Sequence, residues 1–128
     1  PSNSKKSKYI VEWNIIKAEG QLFRIYKVEK SSDGKNVIKV WAKHIFYDLS
    51  YYFIESMKAE NCSVKTALEK SLVGDLITIY TADSDIITAN SIEVEEKNPV
   101  EVIFSIINMW GCGELKRDNF DIKILEAI

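Results

Sequence analysis

The sequence predicts an α+β domain: a curved antiparallel sheet or partial barrel built from hairpins, with about three packed helices. Three observations predict it. Period-two segments such as "VIKVWAK" give way abruptly to helical-period segments such as "VKTALEKSL". Strand-like segments close in sequence flank short turn signals, as hairpins require. "NPVEVIFSIINMWG" carries start and stop signals for a helix together.

Taken in order, "YIVEWNIIKA" has strand-favouring residues on both sides of Glu12 and Asn14 and is punctuated by "EG", which predicts a short first strand or strand pair. "QLFRIYKVEK" and "VIKVWAK" enclose the Asp-Gly-containing "SSDGKN", so a hairpin is expected. In its second arm Ile38, Val40 and Ala42 share the face expected to be buried, opposite Val37, Lys39, Trp41 and Lys43. "HIFYDLSYYFIESMKA" changes period: Ile45, Leu49, Tyr52 and Ser56 fall on one helical face, predicting a helix near 45–57. A second helix near 63–73 follows, with Ser63 as cap, Val64, Ala67, Leu68 and Leu72 as its apolar stripe, and Gly74 as stop.

"DLITIYTA" reads as a strand, residues 83–90 as a looser stretch, and "SIEVE" as strand again. The third helix, near 99–110, has Asn98 as cap, Pro99 at the first helical position, and Glu101 where a carboxylate reaches back to the cap amide. Ile103, Ile106, Ile107 and Trp110 form its apolar face and Gly111 ends it. "GELKRDNFDIKILE" closes the chain as a hairpin. With Asp118 and Asn119 as a two-residue turn, Lys116 would face Asp121 and Glu114 would face Lys123, so the register would neutralise its own charges.

A chain of 128 residues is enough for one domain with a core that needs no metal or disulfide; residues 9–128 are expected to form it. The Ser- and Lys-rich residues 1–8 read as a flexible leader or a boundary segment. No run of about eighteen apolar residues is present to cross a bilayer as a helix, and no secretory cleavage pattern is visible. Seventeen Lys and Arg against nineteen Asp and Glu leave a net charge of -2, which supplies no global field for nucleic acid. Cys62 and Cys112 stand apart and outside any C-x-x-C spacing; reduced thiols are expected, with a disulfide left open.

The search for chemistry finds no catalytic, cofactor or metal site. His44 is the only histidine, which removes multi-histidine zinc sites. Its Asp48 neighbour four residues on is an ordinary helical spacing, and a structural role is the better reading. Asp83, Asp85, Glu93, Glu95 and Glu96 lack the Asp/Asn/Gly spacing of a calcium loop and read as a solvated side. The five glycines are isolated, so no phosphate-binding loop is present. What remains is an aromatic excess, Tyr47, Tyr51, Tyr52 and Phe53, too wide for one buried stripe. With Trp41, the tyrosines Tyr47, Tyr51 and Tyr52 are the candidate interface residues.

"NIIKA" at 14–18, "QLFRIYKVEKS" at 21–31, "AKHIFYDL" at 42–49, "NPVE" at 98–101 and "GELKRDNFDIKIL" at 113–125 together resemble the phage minor structural proteins of the prophage endopeptidase tail family, also called tail-associated lysins. The resemblance implies a region like a baseplate hub, trimeric at the virion tail tip, made in the bacterial host cytoplasm and touching other tail proteins. A cell-wall-degrading or receptor-facing part would lie downstream, so the chain is expected to be part of a longer protein. The resemblance supplies no catalytic residues, cofactor or nucleic-acid partner. The alternative is a cell-wall hydrolase or endopeptidase component with activity in this chain. The sequence departs from the family pattern at Gly111-Cys112-Gly113, where a double glycine before "EL" is usual.

Overall fold

The structure is a computed structural model that describes residues 10–31, 37–111 and 113–126. The leader, the Asp33-Gly34 loop and Cys112 lie outside the described residues. The chain divides into two compact units, Pro1–Ile45 and Phe46–Ile128.

The first unit is an antiparallel meander of β1 (Ile15–Ala18), β2 (Gln21–Ser31) and β3 (Val37–His44). Ala18 pairs with Gln21 across Glu19 and Gly20, whose φ values of 51° and 78° are those of a two-residue type I′ turn. The "EG" punctuation thus acts through backbone handedness. Trp13, also left-handed, donates its N–H to the Ile25 carbonyl at 2.7 Å, while Arg24 Nη1 donates to the Trp13 carbonyl at 2.6 Å, so the entering segment is tied to β2. The β2–β3 register shifts between Ile25 and Lys27, leaving Tyr26 as an extra residue. Beyond this bulge Val28 faces Val40 and Lys30 faces Ile38. Ile38, Val40 and Ala42 are half-buried rather than buried, and Ile25 is the only fully buried residue in the three strands.

The second unit takes up the chain at Phe46, the second residue of a 3-10 helix over Ile45–Tyr51 that buries Phe46 and Leu49, three residues apart. The helix expected near 45–57 stops there. Its second half belongs to β4 (Ile54–Cys62), paired antiparallel with β6 (Asn90–Lys97). Met57 and Ala59 face inward beside Val94 and Ile92, while Ser56 and Lys58 face out beside Glu95 and Glu93, so strand alternation governs these residues. Between the two strands lie α1 (Val64–Ser71), α2 (Leu76–Ile79) and β5 (Thr81–Ser84). Ser63 caps α1 by accepting from the Thr66 amide at 3.3 Å, as expected.

The strand expected over residues 75–82 is also corrected. Leu76 and Tyr80 are buried four residues apart on one helical turn closed by the Tyr80 N–H to the Leu76 carbonyl at 2.8 Å, and only Thr81–Ser84 is extended. After β6, α3 (Pro99–Trp110) has all of its expected signals. Asn98 accepts from the Glu101 amide at 2.9 Å, Glu101 accepts from the Asn98 amide at 3.2 Å, and Gly111 adopts φ 73°. Val102, Ile103 and Ile106 are fully buried, whereas Trp110 is half-buried with its indole N–H donating to the Thr88 carbonyl at 2.8 Å.

The closing hairpin, β7 (Glu114–Asp118) and β8 (Asp121–Leu125), turns at Asn119 and Phe120, one residue later than expected. Lys116 therefore faces Lys123 and Asp118 faces Asp121, so the expected neutralising register is wrong. Two gains explain the choice: Asn119 supplies the positive φ of 53° at the first turn position, and Phe120 packs edge-on to Tyr80 at 5.2 Å. The slip leaves Leu115, Ile122 and Ile124 on one face, because each partner moves by two residues. β5 joins β8 in parallel, giving the order β5-β8-β7. The architecture is mixed α+β with mainly antiparallel sheets, and among the described residues no sheet closes into a barrel.

Gly113 carries the strictest steric demand. At φ 129° an added Cβ would stand 2.7 Å from Ile124 Cγ2 and 3.3 Å from Ile86 Cδ1, whereas one at Gly111 would meet nothing within 4 Å. Gly113→Ala is expected to cost about 1–3 kcal/mol through strain and overpacking, and more than Gly111→Ala, as read by urea unfolding. Equal costs for the two would contradict this geometry. Ile106→Ala, which empties a fully buried site, is expected to cost about 2–5 kcal/mol in the same measurement.

Candidate interaction surfaces

Among the described residues, several side chains with acid–base chemistry make hydrogen bonds within the fold. His44 Nε2 is 2.9 Å from Gln21 Oε1, and its ring stands edge-on to Phe23 at 5.6 Å, so the histidine is held by its own sheet. Asp83, in β5, accepts from the Ser84 amide at 2.9 Å, and Asp85 accepts from the Glu126 amide at 2.7 Å, a bond that ties it to the segment after β8. Cys62 is a free thiol at the end of β4. No cluster of three or more His, Cys, Asp or Glu able to hold a metal is present among the described residues. No helix among them is long and apolar enough to cross a membrane.

The aromatic residues divide into two kinds. Tyr47 is half-buried, edge-on to Phe46 at 5.3 Å and under the Arg117 guanidinium at 5.3 Å, so it helps join the 3-10 helix to β7. Tyr51, Tyr52 and Phe53 are 63%, 43% and 66% exposed at the end of that helix. The cause is local: Leu49 points in and Ile54 begins the next strand, leaving the three intervening aromatics in the turn facing solvent. Trp41 belongs to β3 in the first unit, half-buried, with Lys27 Nζ 4.5 Å over its ring. Of the four candidates, Tyr51 and Tyr52 stand together, and Phe53 joins them.

Exposed apolar groups missed by the sequence reading include Phe104 and Met109, 47% and 49% exposed on α3. Their signal was visible: both fall off the helical stripe that holds Ile103 and Ile106. Met109 borders a shallow open groove of about 480 Å³ lined by Lys58, Glu60, Ser91, Ile92 and Glu93. A neighbouring groove of about 330 Å³ runs along β6 to Ser105 and Asn108. Both are open depressions over a sheet and a helix end, suited to a side chain of a partner more than to enclosing a small molecule. Tyr51→Ser with Phe53→Ser is expected to change folding stability by no more than about 0.5 kcal/mol, since neither ring is buried. Thermal unfolding checks this, and a loss of several kcal/mol would assign the pair to the core.

Residues 1–44 match the prophage endopeptidase tail N-terminal domain, and the matched segment ends one residue before the boundary of the first compact unit. Among solved structures, the prophage tail protein gp18 from Listeria monocytogenes EGD-e is similar with a TM-score of 0.74 at 12% identity. The similarity covers 91% of this chain and 36% of that one, so the chain spans little more than a third of the gp18 length and shares its fold there. No curated protein matches. The matched domain agrees with the resemblance read from the sequence over those residues: the first 44 residues are similar to the prophage endopeptidase tail N-terminal domain.

Proposed function

We propose that the chain is a structural module of a phage or prophage tail tip, a baseplate hub-like region of a longer protein. It assembles as a trimer, contacts other tail proteins and positions a downstream cell-wall-degrading or receptor-facing part. The match of residues 1–44 to a tail N-terminal domain is the observation that carries this reading. The gp18-like fold of nearly the whole chain supports treating both units as one hub-like region. Trp41, Tyr47, Tyr51 and Tyr52 are proposed as interface residues, Tyr51 and Tyr52 as the anchors because they are exposed at no cost to the core.

The test uses the full-length parent. Light scattering after size exclusion is expected to give a trimer, and antibody labelling is expected to place the protein at the tip of purified tails. A parent that is neither trimeric nor present in tails would end the hub reading. The isolated chain is expected to release no fragments from purified cell wall. Turnover that disappears with His44→Ala would instead establish the hydrolase alternative.

A further inference from the structure

The two units carry sheet faces of opposite charge. In the first unit, Lys27 and Glu29 face Trp41 and Lys39 across the β2–β3 pair, Arg24 faces Lys43, and Lys17 of β1 lies opposite Leu22 on the same side. Glu29 is the one acid among the described strand residues on this face. Lys17, Lys27, Lys39 and Lys43 are exposed, and none has a carboxylate partner among the described residues. In the second unit, the outer side of β4–β6 presents Glu93 and Glu95 opposite Lys58 and Ser56, with Glu60 beside them. Lys58 is already paired to Glu60 at 2.9 Å, while Glu93 and Glu95 are exposed and have no cation partner among the described residues. The groove beside them is bordered by the exposed thioether of Met109.

We propose that the lysine and tryptophan face of β2–β3 docks, head to tail, on the glutamate face of β4–β6 in a second copy of this chain. The inference rests on the reading of the chain as a self-associating tail module and names the surfaces that meet. A contact between two different patches is the type that generates rings when its rotation closes. Exposed charge pairs contribute only a few tenths of a kcal/mol each, so their role is register and partner choice, with Met109 supplying apolar contact. A single-stranded nucleic acid fits the basic face less well. Lys27 over Trp41 at 4.5 Å and Lys43 over Tyr26 at 5.2 Å cover the rings on which bases would stack.

Sedimentation velocity of the full-length chain at low and high salt tests this. Lys27→Glu with Lys39→Glu, and separately Glu93→Lys with Glu95→Lys, are each expected to weaken self-association about tenfold or more. The chain carrying all four changes should regain it, and a mixture of the two double variants should form mixed assemblies even if the fourfold variant misfolds. Circular dichroism of each double variant should match the parent. A monomeric parent at every concentration, double variants that associate normally, or absence of mixed assembly between folded double variants would overturn the proposal. So would tight binding of a single-stranded oligonucleotide by the parent that the lysine variant loses. If the charge swap behaves as expected but the protein is absent from purified tails, the tail reading fails and the docking stands. If the protein is present in tails and the swap has no effect, only the docking fails.

Discussion

The second unit depends on the reciprocal hydrogen bonds between Asn98 and Glu101. An α-helix ordinarily begins with four unpaired N–H groups; Pro99 removes one here, and this pair of bonds satisfies two of the remaining three while fixing where the first turn starts. That start sets the rotation of α3, and rotation decides which side chains enter the core. With the cap at Asn98, Val102, Ile103 and Ile106 point inward and Phe104 points out. A shift by one residue would turn the apolar stripe about 100° away from the strands it covers. At the other end, Gly111 accepts the left-handed conformation and delivers the chain to Gly113, whose missing Cβ lets β7 approach Ile124 and Ile86. Helix start, core stripe and hairpin entry form one mechanical sequence.

The parts of the fold legible in the sequence are those where local signals and burial agree. α3 was legible because cap, proline, stripe and stop coincide, and α1 because Ser63 and its stripe coincide. The long β2–β3 hairpin was legible from alternation alone. Residues 45–57 were not, because Phe46 and Leu49, and separately Met57 and Ala59, obey two different periods within one short segment, and a helical template spans both. The Leu76–Tyr80 turn was misread for the converse reason: β-branched residues at 77, 78 and 79 imitate a strand, while burial comes from Leu76 and Tyr80, one helical turn apart. As for the surface, the sequence pointed to an aromatic excess but not to which rings are exposed. Tyr47 is half-buried and in contact with Phe46 and Arg117, whereas Tyr51 is exposed, a difference set by tertiary structure.

The closing hairpin illustrates how magnitudes choose between registers. The expected pairing would have set Lys116 against Asp121 and Glu114 against Lys123, each exposed pair contributing a few tenths of a kcal/mol. The observed pairing places Lys116 opposite Lys123 and Asp118 opposite Asp121, a loss of similar size. Against this stands Phe120, brought from solvent onto Tyr80, and burial of a large aromatic is worth about 1.5–3 kcal/mol when complete. Even half of that exceeds the charge terms. Thr81 also gains: its N–H donates to the Phe120 carbonyl at 3.0 Å and its hydroxyl to the Asp121 carboxylate, linking the turn to β5. Surface charge pairing is therefore a poor guide to register wherever an aromatic is near the turn.

The same comparison of magnitudes separates the roles of the two units. The second unit has a continuous core running from Phe46 to Ile124, and its stability is accounted for by burial. The first unit is a three-stranded sheet with one fully buried strand residue, Ile25, and half-buried apolar groups along one face. Independent stability of a small sheet needs three or more strands with a hydrophobic face, or packing against a helix. Its turn and bulge are well formed, so the conformation is specified locally by the type I′ turn at Glu19-Gly20 and the extra residue at Tyr26. Backbone geometry at the turn and the bulge, more than a core of its own, fixes the shape of this sheet. The first unit thus has its register fixed by turn and bulge, whereas the second has its fold fixed by burial.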